Sequence, residues 1–385
     1  MEGTNYKGLV KKYFLLVLPT CLIVILIFII VLYIVDPLQI FHRAKDENRP
    51  LDDNMRAQAA GILNTFDIDS IILGSSMLAN TSASEASAKL GGKFFNISFN
   101  CADYIERSVI LNKALRKKIK NVIYSLDNIY INNIQDNKNL QKYLYDENIL
   151  NDFKYYATLK NILRLFRIDD WLIKDDHDRP CAWFNRPDIK SHFGGIENWV
   201  AHKDDSSIRD FIHHLPSTAE VFNTVSRHES RDQAREKLAK DYIEKNILEV
   251  IWNHPNTNFY FIFPPYQRSI YANMRRFAPK DFFLHQEIIR YMVEKTEGNK
   301  NIHIYGFEDQ DFLDDIANYT DPVHHHQKFN SMFLDAIAGG HHELTPENVE
   351  GYLKRCEQKA WDYDIPALND EVQRLLGAAV KKGDG

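Results

Sequence analysis

Cysteine is scarce in this chain: four in 385 residues, at Cys21, Cys101, Cys181 and Cys356, widely separated. That spacing excludes a disulfide framework and a Cys-x-x-Cys metal site, and one of the four lies inside an apolar run. Basic charge is not in excess either. Lys and Arg number 47 against 53 Asp and Glu, a net charge of −6 with no Lys/Arg stripe interleaved with aromatics, so no nucleic-acid partner is expected. The turn at Gly74-Ser75-Ser76 has one glycine and no adjacent Lys, unlike a phosphate-cradling loop. No internal repeat and no long low-complexity segment appears.

What the chain does have comes first at 13–35, "YFLLVLPTCLIVILIFIIVLYIV", which holds no charged residue over 23 positions. As a helix at about 1.5 Å per residue it crosses the roughly 30 Å hydrocarbon layer. Pro19 would kink that helix without preventing insertion. A cleaved signal peptide has an apolar core of only about 7–15 residues and then a small-residue cleavage site. This run is longer and leads into "DPLQIFHR", so a retained single-pass anchor in contact with membrane lipid is expected. Lys7, Lys11 and Lys12 precede it and Arg43, Lys45 and Arg49 follow, so the positive-inside rule comes out level.

The remaining composition is that of a globular protein, 44% apolar and 26% charged. Residues 1–12 are a short tail, and 36–66 read as a polar stalk with one helical piece at 54–66. Beyond it, strand-like runs at 70–73, 94–97, 122–126, 258–263 and 302–305 alternate with helical patterns such as 107–121 and 282–295. That alternation predicts an α/β fold: a three-layer, flavodoxin-like parallel sheet of five strands covered on both faces. A mostly helical insertion is expected at about 129–252, within a domain spanning 67–340, and a helical tail at 341–385.

In an open parallel sheet, ligands bind outside the carboxyl ends of the strands, near the point where strand order reverses. The first strand ends at Gly74-Ser75-Ser76, the second runs into "SFNCADY", the third into Asp127-Asn128 and the fourth into Pro264-Pro265-Tyr266. The fifth is followed by "NYTDPVHHHQKFN", which contains Asp321 and His324. A serine hydroxyl is a weak nucleophile until an imidazole takes its proton, and the imidazole needs a carboxylate to hold its tautomer. Ser76, His324 and Asp321 supply those three groups on segments that reach one sheet edge.

Gly-Ser-Ser after the first strand, with Asp-x-x-His near the domain's end, resembles the SGNH (GDSL-type) hydrolase family. The closest resemblance is to its membrane-anchored branch beside membrane-bound O-acyltransferases, which includes teichoic-acid D-alanyl transfer and alginate acetylation proteins. "FIFPPY" (261–266) and "NYTDPVHHHQKFN" (318–330) share that look. The resemblance implies Ser76 as nucleophile, with Asp321 and His324 completing a triad. It implies oxyanion donors after the second and third strands, where this chain has Asn100 in place of a glycine and "SLDN" with Asn128 in place of Gly-x-Asn-Asp. By the same resemblance the chain is a membrane-tethered serine O-acyl, chiefly O-acetyl, transferase or esterase that needs no cofactor and acts on a cell-surface or secreted polysaccharide. It would sit in the bacterial inner membrane with its catalytic domain in the periplasm, beside a multi-pass O-acyltransferase. The alternative is a non-catalytic partner subunit of that acyltransferase, binding it or the glycan.

Plainer roles stand beside these. A serine after a strand often caps a helix. Asp127 and Asn128 would then only start the next helix, and Pro264-Pro265 would simply end a strand. His324, His325 and His326, even with His342, make a poor metal set, because consecutive side chains on a helix diverge.

Overall fold

The structure, a computed structural model, describes residues 6–46, 51–52, 54–127, 131, 134, 140–158, 172–173 and 187–383. The chain divides into two compact units, 1–66 with 139–175 and 67–138 with 176–385.

In the first unit, helix Tyr6–Val35 contains Val10–Val35, the one helix among the described residues long and apolar enough to cross a membrane, with mean hydropathy 3.4. It stops where Pro37 has no N–H to continue the ladder. Asp36 takes over at a left-handed φ of 34°. Its carboxylate accepts the backbone N–H groups of Ile40, Phe41 and His42 at 2.8–3.0 Å and the Tyr156 hydroxyl at 2.7 Å. Residues 36–66 carry helix Met55–Thr65, and Leu51–Asp52 pairs antiparallel with Leu172–Ile173. Gly61 lets this helix pass under the loop backbone, since a Cβ there would fall 1.7 Å from the Leu38 carbonyl oxygen.

The second unit is built on a five-stranded parallel sheet: β1 (Ser70–Leu73), β2 (Phe94–Asn96), β3 (Asn121–Ser125), β4 (Asn258–Phe263) and β5 (Ile302–Gly306). In space the order is 2-1-3-4-5, with Ile71 opposite both Phe95 and Val122. Each strand lies within a residue or two of the run that predicted it, because runs of buried β-branched and aromatic residues mark strands covered on both faces. Helices intervene at Ala83–Leu90, Tyr104–Leu115 and Pro279–Thr296, and Lys328–Gly339 follows β5. The helical pattern at 107–121 begins three residues early, since Asp103 caps it by accepting the Glu106 N–H at 2.7 Å.

The described second half of the insertion is helical, with Ser206–Phe222 and Gln233–Ile243 its longest pieces. Trp199, Ile208, Leu215 and Phe222 form one apolar cluster with Ile365 and Val372 of the last helix, Ile365–Gly383.

Candidate functional site

Strand order reverses between β1 and β3, and the carboxyl end of that gap is the crevice where doubly wound sheets bind ligands. Gly74 leaves β1 there with no room for a side chain: a Cβ would lie 2.7 Å from the Ser125 Oγ and 2.9 Å from the Leu78 Cβ. The chain does not enter a helix at Ser76, contrary to the expectation for a strand-to-helix turn. Residues 76–80 form successive turns, and the helix waits until Ala83 because Ser82 is its cap, accepting the Glu85 N–H at 3.0 Å. Ser82-x-x-Glu85 is a capping-box pattern, a signal present in the sequence and overlooked in its reading. Ser76 is therefore not a helix cap. Two asparagines pin the turns: Asn96 donates to the Leu78 and Thr81 carbonyls, and Asn330 donates to the Met77 carbonyl and the Thr81 hydroxyl.

The structure brings Ser76, His324 and Asp321 into one hydrogen-bonded chain. Ser76 Oγ lies 2.9 Å from His324 Nε2, and His324 Nδ1 lies 2.8 Å from Asp321 Oδ2. Asp321 also fixes its own loop, its Oδ1 accepting the backbone N–H groups of Val323 at 2.8 Å and His324 at 2.9 Å. With the proton held on Nδ1 by the carboxylate, Nε2 presents its lone pair to the Ser76 hydroxyl. Burial disfavours a charged imidazole, but the charge and hydrogen bond of Asp321 outweigh it and hold His324 above the ordinary histidine value. Burial likewise raises the Asp321 carboxyl, and His324 with the two N–H donors brings it below the ordinary range.

Beneath Ser76 lies a buried polar layer that the sequence reading did not assign. Ser75 donates its hydroxyl to Asp127 Oδ1 and accepts the Met77 N–H at 3.2 Å, while its own N–H reaches the Ser125 Oγ at 3.2 Å. Ser125 in turn donates to Asp127 Oδ2 at 2.7 Å. Arg107, 0% exposed, closes the layer. It lies 3.1 Å from Asp127, which is 1% exposed, donates to the Ser125 carbonyl at 2.6 Å, and stacks over Tyr104 and Tyr124. Asp127 thus anchors the Ser75-Ser76 turn, and the residues after it lie outside the described ones.

Of the implied oxyanion donors, Asn100 is exposed beside Cys101, whose φ is +54°. Asn128 lies outside the described residues. The backbone N–H of Ser76 donates to no acceptor among the described residues, so it is available as a donor beside the Ser76 hydroxyl. The three neighbouring histidines are not on a helix, which starts only at Lys328. His325 is buried against Phe329 and Phe333, and burial pushes its pKa down to about 3. His326 is exposed with its ring 4.9 Å from that of Phe193.

The insertion braces the loop that carries Asp321 and His324. The Trp199 indole donates to the Tyr319 carbonyl at 3.1 Å, and the Gly194 N–H to the Ala317 carbonyl at 3.2 Å. Compared with known proteins, the chain matches no family model and no curated sequence.

Because only neutral His324 accepts a proton, any reaction of Ser76 that passes its proton to His324 is expected to rise with pH through the raised pKa of His324. The inflection is expected above the ordinary value of about 6.5. Labelling rates for an acylating agent between pH 5 and 9 measure it, and Asp321→Asn should move the inflection down while lowering the plateau. In stability the sign is opposite. A raised His324 pKa contributes below the unfolded value, and that contribution is lost as pH rises through the folded one.

Proposed function

We propose that this chain is a membrane-tethered serine acyltransferase or esterase of the SGNH type, with a polysaccharide as its acyl acceptor or acylated substrate. One observation carries the reading: Ser76, His324 and Asp321, from opposite ends of the sheet unit, are in hydrogen-bond register at the switch point of a 2-1-3-4-5 sheet. In that reading Ser76 Oγ bonds to an acyl carbonyl carbon as His324 Nε2 takes the hydroxyl proton. The ester C–O bond then breaks, and the leaving oxygen receives that proton from His324. Asp321 orients the imidazole and balances its transient charge. A second hydroxyl, from sugar or water, repeats the sequence in reverse and frees Ser76.

The developing oxyanion needs donors, and the N–H of Ser76 is one. The apolar helix Val10–Val35 supports tethering to a membrane. An inner-membrane location with the sheet unit in the periplasm, an acetyl group as cargo and a multi-pass O-acyltransferase as donor follow from the family resemblance. A role as a binding subunit alone leaves Ser76 unreactive, which separates it from the enzyme reading.

Transfer and hydrolysis are told apart with purified full-length protein and an acetylated model ester. Acetate appearing on an added oligosaccharide, at the expense of free acetate, is the result expected of a transferase. Release into water at a rate indifferent to the sugar identifies an esterase. Turnover in neither form, with folded protein, overturns the enzyme reading.

A further inference from the structure

The loop 146–152 ends in the most exposed large apolar side chain among the described residues, Leu150 at 76%, next to Ile149 at 48%. It belongs to the same compact unit as the membrane-length helix. The loop's polar groups are turned onto its own backbone and side chains. Asp146 accepts the Asn148 N–H and the Asn151 amide, both at 2.8 Å, and Asn148 accepts the Leu150 N–H at 3.2 Å. Ile149 and Leu150 face outward at the tip, beside the exposed Asp146, Glu147 and Asn148.

Its place relative to the long helix is fixed by aromatic rings. The short helix Phe153–Tyr156 packs against Tyr6–Val35. Phe153 stacks on Phe41 with centroids 4.4 Å apart, and Phe41 lies 5.7 Å from Tyr33, in the last turn of the long helix. Leu150 is three residues before Phe153, so its Cα is at most about 11 Å away. The tip therefore sits beside the end of the span. Tyr33, 48% exposed, and His42 lie at that level, and rings with a polar tip favour the membrane–water interface.

We propose that Ile149 and Leu150 insert into the interfacial layer of the bilayer, a second lipid contact beside the transmembrane helix. The proposal rests on Val10–Val35 crossing the membrane, and it stands apart from the chemistry at Ser76. Lipid is favoured over a protein partner because the pair is a two-residue tip near the end of the exposed apolar span, and not a groove. The exposed charges nearby, Asp146, Glu147 and Lys154, are of both signs. The contact is therefore apolar and insensitive to lipid charge. Two anchor points would limit rocking of this unit on the membrane.

The test uses the full chain in phosphatidylcholine nanodiscs, with the four native cysteines replaced and an environment-sensitive fluorophore placed by Leu150→Cys. Ile27→Cys, in the span, and Leu238→Cys, exposed in the other unit, are the controls. The expected result is strong quenching at position 150 by lipid carrying a nitroxide on its upper acyl chain. Acrylamide quenching there should be severalfold weaker than at 238, and unchanged when anionic lipid is added. Quenching at 150 like that at 238 places the tip in water and overturns the proposal. Shielding from both quenchers means a protein covers the tip, which also overturns it. Lipid quenching at 27 keeps the span in either case. Its absence removes span and tip together.

Discussion

Ser76→Ala lowers turnover of an activated acyl ester by roughly 10⁴-fold or more, to the level that binding and backbone donors sustain alone. The size follows from how the neighbouring serine is used. Ser75 spends its hydroxyl on Asp127 and on the Met77 N–H, and it is buried, so it cannot substitute. Ser76 is the serine that reaches His324 Nε2, at 2.9 Å. Alanine leaves the turns standing, because Asn96 and Asn330 hold them through backbone carbonyls and Thr81. A circular-dichroism spectrum unchanged from wild type accompanies the loss. Ser75→Ala has a different signature, a lower unfolding midpoint with reactivity only partly reduced. If Ser76→Ala retains wild-type turnover, the nucleophile is elsewhere.

Asp127→Ala is expected to destabilise the sheet unit by about 3–5 kcal/mol, because it removes the carboxylate that pairs with the fully buried Arg107 guanidinium. A typical domain has about 5–15 kcal/mol in all, so this change alone brings unfolding close to ambient conditions. The effect exceeds that of losing a hydrogen bond, about 1 kcal/mol, because one member of a buried ion pair is removed. Denaturant unfolding of the full chain in detergent measures it. The pair Arg107→Met with Asp127→Leu removes both charges and should recover much of the stability. It does not restore the acceptor for Ser75, so reaction at Ser76 stays slow. Recovery of stability and reactivity together would mean that the ion pair only fills space.

The sheet was legible because all five strands are short apolar runs bounded by turns, and their alternation with helices marks a parallel sheet. Ser76, Asp321 and His324 were legible too, since each follows a strand at the same sheet edge. Arg107 was not. An arginine in a helical pattern reads as solvated, and only the packing of Tyr104 and Tyr124 around it shows that it is buried. The register after β1 was misjudged for a local reason: the Ser82–Glu85 cap outcompetes Ser76 as the helix start. Residues 36–66 read as a stalk because their neighbours in space, at 139–175, lie about a hundred residues on, beyond what any periodicity reports.

The central claim is that Ser76 is an activated nucleophile. Its most direct measurement is exposure of folded full-length protein to a fluorophosphonate, followed by peptide mapping of the adduct. A single phosphonylated residue, Ser76, formed with a pH dependence that follows His324 and abolished by His324→Ala, is the predicted result. Folded protein that takes up no label, or takes it at another serine, contradicts the account.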